Sequence, residues 1–96
     1  MERGISRDFL KAHILYKLAR HRRWGAKHTE LINVRTALPQ EYQSEAESLA
    51  RELADAGFLT WLKKTGQIHV SLNTRRKKEI DAIIDKYSQK EITYGH

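Results

Sequence analysis

Ser44–Gly57, SEAESLARELADAG, decides the fold of this 96-residue chain. Ala46, Leu49, Ala50 and Leu53 recur at the i, i+3, i+4, i+7 spacing that gathers them on one face of a helix. Ser44 with Glu47 reads as a capping box, and Gly57 supplies the left-handed residue that closes the other end. Helix 44–56 is therefore expected. Pro39 is a second possible start, because Tyr42 continues the apolar period and proline suits a first helical position. The capping box favours Ser44.

Upstream, Asp8 to about Arg22 reads as a first helix. Phe9, Ala12, Ile14, Leu15, Tyr16, Leu18 and Ala19 cover more than half its circumference, so it packs on several sides. Lys27-His28 are loop or extended. Thr29 is a candidate N-cap, with Glu30 in the first turn of a second helix that ends near Ala37 and buries Leu31, Val34 and Leu38. Pro39 breaks it.

Downstream, Phe58–Leu62 is aromatic and aliphatic, Lys63-Lys64-Thr65-Gly66 is a turn, and Gln67–Leu72 alternates. Ile68, Val70 and Leu72 take one face, and Gln67, His69 and Ser71 the other. This pattern predicts a β-hairpin with Gly66 at positive φ. A lone hairpin is marginal, so its apolar face must lie on helices one and three. Asn73 or Thr74 caps a last helix from Arg75 to about Ser88, with a frayed tail over Gln89–His96. The domain is thus single, 1–96, with its core over about 8–72 and an added helix over about 74–88.

The charge is uneven. Net charge is +6, but the basic residues concentrate in 1–28 and 60–78 while 29–59 is acidic. Basic blocks flanking an acidic middle favour a polyanionic partner; the alternative is ordinary solvated charge. With no cysteine, disulfides and thiolate chemistry are excluded. The five histidines show no metal-ligand spacing, no Gly-rich phosphate loop occurs, and no nucleophile elbow surrounds a serine. No enzyme, metal or cofactor is expected. No apolar run reaches membrane-spanning length, and the opening residues lack a signal-type core, so a cytoplasmic protein is expected.

The order helix, helix, turn, helix, hairpin, helix resembles the winged helix-turn-helix superfamily, especially small prokaryotic, archaeal or viral regulators. The residues carrying the resemblance are Thr29-Glu30-Leu31, the run Leu49 to Leu59 (LARELADAGFL), and the wing Trp61–Leu72. It implies an α+β, mainly α fold with a three-helix core, a two-stranded wing and a C-terminal helix. It also implies sequence-specific binding of double-stranded DNA in transcription regulation, with helix 44–56 in the major groove and wing 60–72 on the backbone.

The residues suit that role unevenly. Opposite the buried face of helix 44–56 lie Ser44, Ser48, Arg51 and Asp55. Ser44, Ser48 and Arg51, with Gln40 and Gln43 just before, are the candidate base readers. Glu47 is expected to serve the cap and pair with Arg51. Lys63, Lys64 and Thr65 at the hairpin tip, Lys27 and His28 before helix two, and Arg75 and Arg76 are the candidate phosphate contacts. Glu45, Glu47 and Glu52 oppose phosphate, so a protein-interaction module using the acidic helix is the alternative, with RNA binding a third reading. Trp24 and Trp61 are expected at the core or its edge. The stripe Ile80, Ile83, Ile84 and Tyr87 either closes the domain's own core or pairs across a two-fold axis. A homodimer is expected, because dimeric readers match palindromic half-sites.

Overall fold

The computed structural model describes residues 6–94, with side-chain surroundings through residue 87. It is an α+β fold, mainly helical. Helix α1, Arg7–Arg20, starts where the Ser6 hydroxyl accepts a hydrogen bond from the Phe9 amide at 3.1 Å. The amides of Arg22 and Arg23 close its end on the carbonyls of Ala19 and Leu18. That closure is a Schellman motif, with Arg22 at φ 58° in the position usually given to glycine. Leu10, Ile14, Leu15 and Leu18 bury the broad apolar arc.

The second helical segment departs from expectation. Thr29–Glu30 is a short strand, β1, antiparallel to the second hairpin strand, Gln67–Leu72, through Thr29–Val70 and Glu30–His69 pairs. Leu31–Ala37 is wound as a 3-10 helix, without a side-chain cap from Glu30. Ile32, Val34 and Thr36 are β-branched and crowd an α-helical turn. The Thr36 hydroxyl donates to the Asn33 carbonyl at 3.0 Å, three residues back. Val34 and Leu38 are buried as expected.

The organising helix also starts differently. A 3-10 turn spans Gln40–Glu45, and helix α2 is Ala46–Asp55. The capping box does not form: Glu45 occupies the N-cap position with no side-chain hydrogen bond. The reason is local. The chain already coils from Pro39, whose carbonyl accepts from the Tyr42 amide at 2.9 Å, so the Ala46 amide, one that a Ser44 cap could serve, bonds the Gln43 carbonyl instead. Ala46, Leu49, Ala50 and Leu53 are all buried. Gly57, at φ 91°, ends the helix in a second Schellman closure, Phe58 N–H to Leu53 carbonyl.

Strands β2, Leu59–Lys64, and β3, Gln67–Leu72, form the hairpin, so the sheet order is β1-β3-β2. Leu59, Val70 and Leu72 seal the core formed by α1 and α2. Ser71, on the strand face expected to be polar, is fully buried. Its hydroxyl donates to the Gly25 carbonyl at 2.7 Å and meets the Thr60 hydroxyl at 2.6 Å, which satisfies it.

Asn73 accepts from the Arg75 amide and opens a 3-10 turn over Thr74–Arg76 that leads into helix α3, Lys77–Tyr94. The helix thus runs past Ser88, where the sequence suggests fraying; Gly95 and His96 lie outside the described residues. Its apolar stripe is spent at home. Ile80 is fully buried, Ile83 and Ile84 pack against the same core, and Tyr87 meets the Phe9 ring edge-on at 5.9 Å. Ile80 thus closes the domain's own core, while Ile83, Ile84 and Tyr87 are only half-buried. Among the described residues no helix is long and apolar enough to cross a membrane.

Candidate nucleic-acid interface

The hairpin tip is a two-residue turn in which Thr65, at φ 46°, and Gly66, at φ 81°, both lie in the left-handed region. Paired Lys64 and Gln67 flank it. Two positive φ values define the type I′ geometry whose twist matches the strands. Lys63 and Lys64 are exposed and pair with no acid among the described residues. Successive strand residues face opposite sides. Lys64 therefore shares the side of its neighbours across the ladder, Gln67 and His69, and Lys63 shares the α2 side with Trp61 and Ile68.

The segment before β1 is stitched to this hairpin. Leu72 N–H donates to the Arg23 carbonyl at 2.7 Å, and Gly25 N–H donates to the Leu72 carbonyl at 3.0 Å. His28 then meets His69, Nδ1 to Nδ1 at 3.0 Å with the rings edge-on. One ring must donate and the other accept, so the pair tolerates a single proton between these nitrogens. Desolvation, the nearby Lys64 ammonium and His69 together lower the His28 pKa. His28 is thus bound to the sheet, while Lys27 beside it is exposed.

On α2 the acidic flank is occupied. Arg7 pairs with Glu52 and, at 3.3 Å, with Glu45, while Lys11 reaches Glu52 at 2.8 Å. Hydrogen bonds from Lys11, then Arg7, hold the Glu52 carboxyl below its usual range. These acids fasten α2 to α1. Sequence reading misses this role of Arg7 and Lys11. Their i, i+4 spacing on α1 is visible in the chain, but only packing sets it opposite Glu45 and Glu52.

Arg51 differs from expectation as well. Its partner is Asp55, Nε to Oδ1 at 3.7 Å, rather than Glu47, and its guanidinium stacks over the Trp61 ring at 5.2 Å. Trp61 thus bridges wing and helix as a half-buried platform. Glu47, freed from both expected roles, lines a groove of about 520 Å³ with Gln43, Ser44, Arg35, Gln67 and Ile68. This groove brings the N-terminal end of the organising helix beside the hairpin tip. Gln43 also donates to the Leu38 carbonyl at 3.2 Å, and the Ser48 hydroxyl to the Glu45 carbonyl at 3.1 Å. Gln40 and Ser44 are exposed.

Arg75 and Arg76 stand elsewhere. Asn73 N–H bonds the Phe58 carbonyl at the base of the hairpin. At 3.3 Å per residue, its six-residue strands put that base roughly 20 Å from the tip. Arg76 is engaged there: it donates to the Ala56 carbonyl at 3.2 Å, stacks on Phe58 at 4.7 Å and pairs with Glu79. The same stretch holds Lys77 to Asp81 at 2.6 Å and over Trp24 at 5.5 Å. Arg75 is exposed without an acid partner among the described residues.

Among the described residues no three His, Asp or Glu side chains gather as a metal site. The chain matches no family model, no curated protein and no solved structure.

Proposed function

We propose that this protein is a winged helix-turn-helix regulator that binds double-stranded DNA, setting the N-terminal half of α2 and its preceding turn in the major groove and the hairpin tip on the backbone. The observation that carries the reading is the neutralisation of α2's acidic flank by Arg7 and Lys11. Repulsion by those carboxylates is the strongest objection to a phosphate partner. With Glu45 and Glu52 committed to α1, the outward residues next to the tip are Gln43, Ser44 and Glu47, with Arg51 braced on Trp61. The tip adds Lys63 and Lys64. The element order and the small antiparallel sheet are compatible with such a fold. Arg76 drops out of the contact set, because it is engaged with Ala56, Phe58 and Glu79.

The test is a gel-shift series with duplex DNA, single strands and structured RNA at two salt concentrations. Duplex binding should weaken steeply with salt. Lys64→Ala should weaken all duplexes alike and flatten the salt slope by ~0.9. Arg51→Ala should relax discrimination at one base position by ~1–3 kcal/mol. No duplex binding at low salt would refute the reading, and preference for RNA would replace it.

A further inference from the structure

A second concavity, about 230 Å³, lies between the end of α1 and the 3-10 segment Leu31–Ala37. Lys17, His21 and Arg23 line one side, and Thr29, Asn33 and Thr36 line the other. No carboxylate lines it, and among the described residues none of the three basic side chains has an acid partner. Lys17 and Arg23 thus bring two uncompensated positive charges into one hollow, a local positive field.

The donors outnumber the acceptors. Lys17 gives one N–H to the Thr36 hydroxyl, which passes its own proton to the Asn33 carbonyl. The Asn33 amide gives one N–H to the Thr29 hydroxyl at 3.0 Å. The Lys17 ammonium keeps two further donors, and the Arg23 guanidinium, a five-donor fork, makes no side-chain hydrogen bond to the described protein. The frame is rigid. Arg23 is held through its N–H on Leu18 and its carbonyl on Leu72, and Thr29 is held by pairing with Val70. The partial negative charge at the end of α1 would repel an anion, but its Lys17, Leu18 and Ala19 carbonyls accept from the amides of His21, Arg23 and Arg22.

We infer that this cleft is an oxyanion site that takes one phosphoryl group, bound by Lys17, Arg23 and the remaining Asn33 amide N–H, with Thr36 positioning the Lys17 ammonium. Its excess of donors over acceptors fits that chemistry. The phosphoryl group can come from a nucleic-acid backbone or from a free phosphate ester. The inference does not depend on the DNA reading, because it is testable with no nucleic acid present.

The experiment follows backbone amide resonances of the full chain during titration with inorganic phosphate at constant ionic strength, with chloride as the control. Saturable shifts are expected at Arg23, Asn33 and Thr36. Arg23→Gln should weaken phosphate binding at least ~tenfold. Thr36→Val, which keeps the side-chain shape, should weaken it less, and the distant Lys78→Gln should not change it. A response equal to that of chloride, or one unaltered in both Arg23→Gln and Thr36→Val, overturns the site. A parallel duplex titration identifies the source. If Arg23→Gln also flattens the salt slope by ~0.9, the occupant is a backbone phosphate; if duplex binding is unchanged while the phosphate response is lost, it is a free phosphate ester. Absence of any duplex binding would end the DNA reading and leave the phosphate result standing.

Discussion

Thr65→Asn should stabilise the protein, and the expected size follows from the turn. Thr65 sits at φ 46° in the first central position of a type I′ hairpin. An L-residue in the left-handed region pays about 1–2 kcal/mol, and a β-branched one is a genuine outlier. Asparagine relieves part of that cost through local hydrogen bonding and is among the residues type I′ turns prefer. Thr65 is exposed and its side chain makes no hydrogen bond to the described protein, so nothing is lost in exchange. The net gain should be about 1 kcal/mol, which for a domain of this size raises Tm by roughly 4–8 °C. Thr65→Gly should gain less, because glycine adds about 0.5–1 kcal/mol of chain entropy to be lost on folding. Thr65→Val keeps the branching and should gain nothing. The assay is thermal and urea unfolding, with an unchanged m-value showing that only stability moved. An Asn variant that melts at or below the parent would refute the strain assignment. A strained residue between two free lysines and the strand that follows also suits a contact tip, where strain tends to be retained.

Three further outcomes follow from the packing and the ion pairs. Leu49→Ala empties a fully buried position and should cost about 3–5 kcal/mol in urea unfolding. His28 binds fewer protons folded than unfolded, because burial, Lys64 and His69 lower its pKa. Stability should therefore fall as pH drops through the usual imidazole value of about 6.5, and Lys64→Gln should make the decline shallower in melts at successive pH values. Glu52 titrates below the usual carboxylate range, through Lys11 first and then Arg7. Its contribution is present above about pH 4.5 and is lost as pH falls through the folded pKa, so Glu52→Gln should flatten the acid limb of the same profile.

The periodic elements are legible in the chain itself. The buried sets of α1 and α2, the hairpin, and the closing role of Gly57 all follow from apolar spacing and turn chemistry, which are local properties. The starts of helices are less legible. Ser44 and Glu47 are the right residues for a capping box, yet the coil set up at Pro39 already runs through Ser44 and bonds the Ala46 amide to the Gln43 carbonyl. Thr29 has the chemistry of a cap but is a strand residue, because β3 offers its backbone a ladder. In each case a non-local or upstream partner outcompetes a local motif worth only about 1 kcal/mol.

For function, the sequence by itself determined the supply of charge: basic blocks at both flanks, acids in the middle, no thiols and no recognised ligand spacing. It also determined which residues share a helix face, since 3.6-residue periodicity is written in the chain. Only the tertiary structure decided which charges remain available. Packing set Arg7 and Lys11 against Glu45 and Glu52, turned Arg76 onto Ala56 and Phe58, and buried Ile80. It left Lys63 and Lys64 free at the tip, and Lys17 and Arg23 without acid partners in a cleft. The physical reason is that charge is a property of a residue, whereas neutralisation is a property of a pair, and pairs separated by tens of residues exist only once the chain has folded.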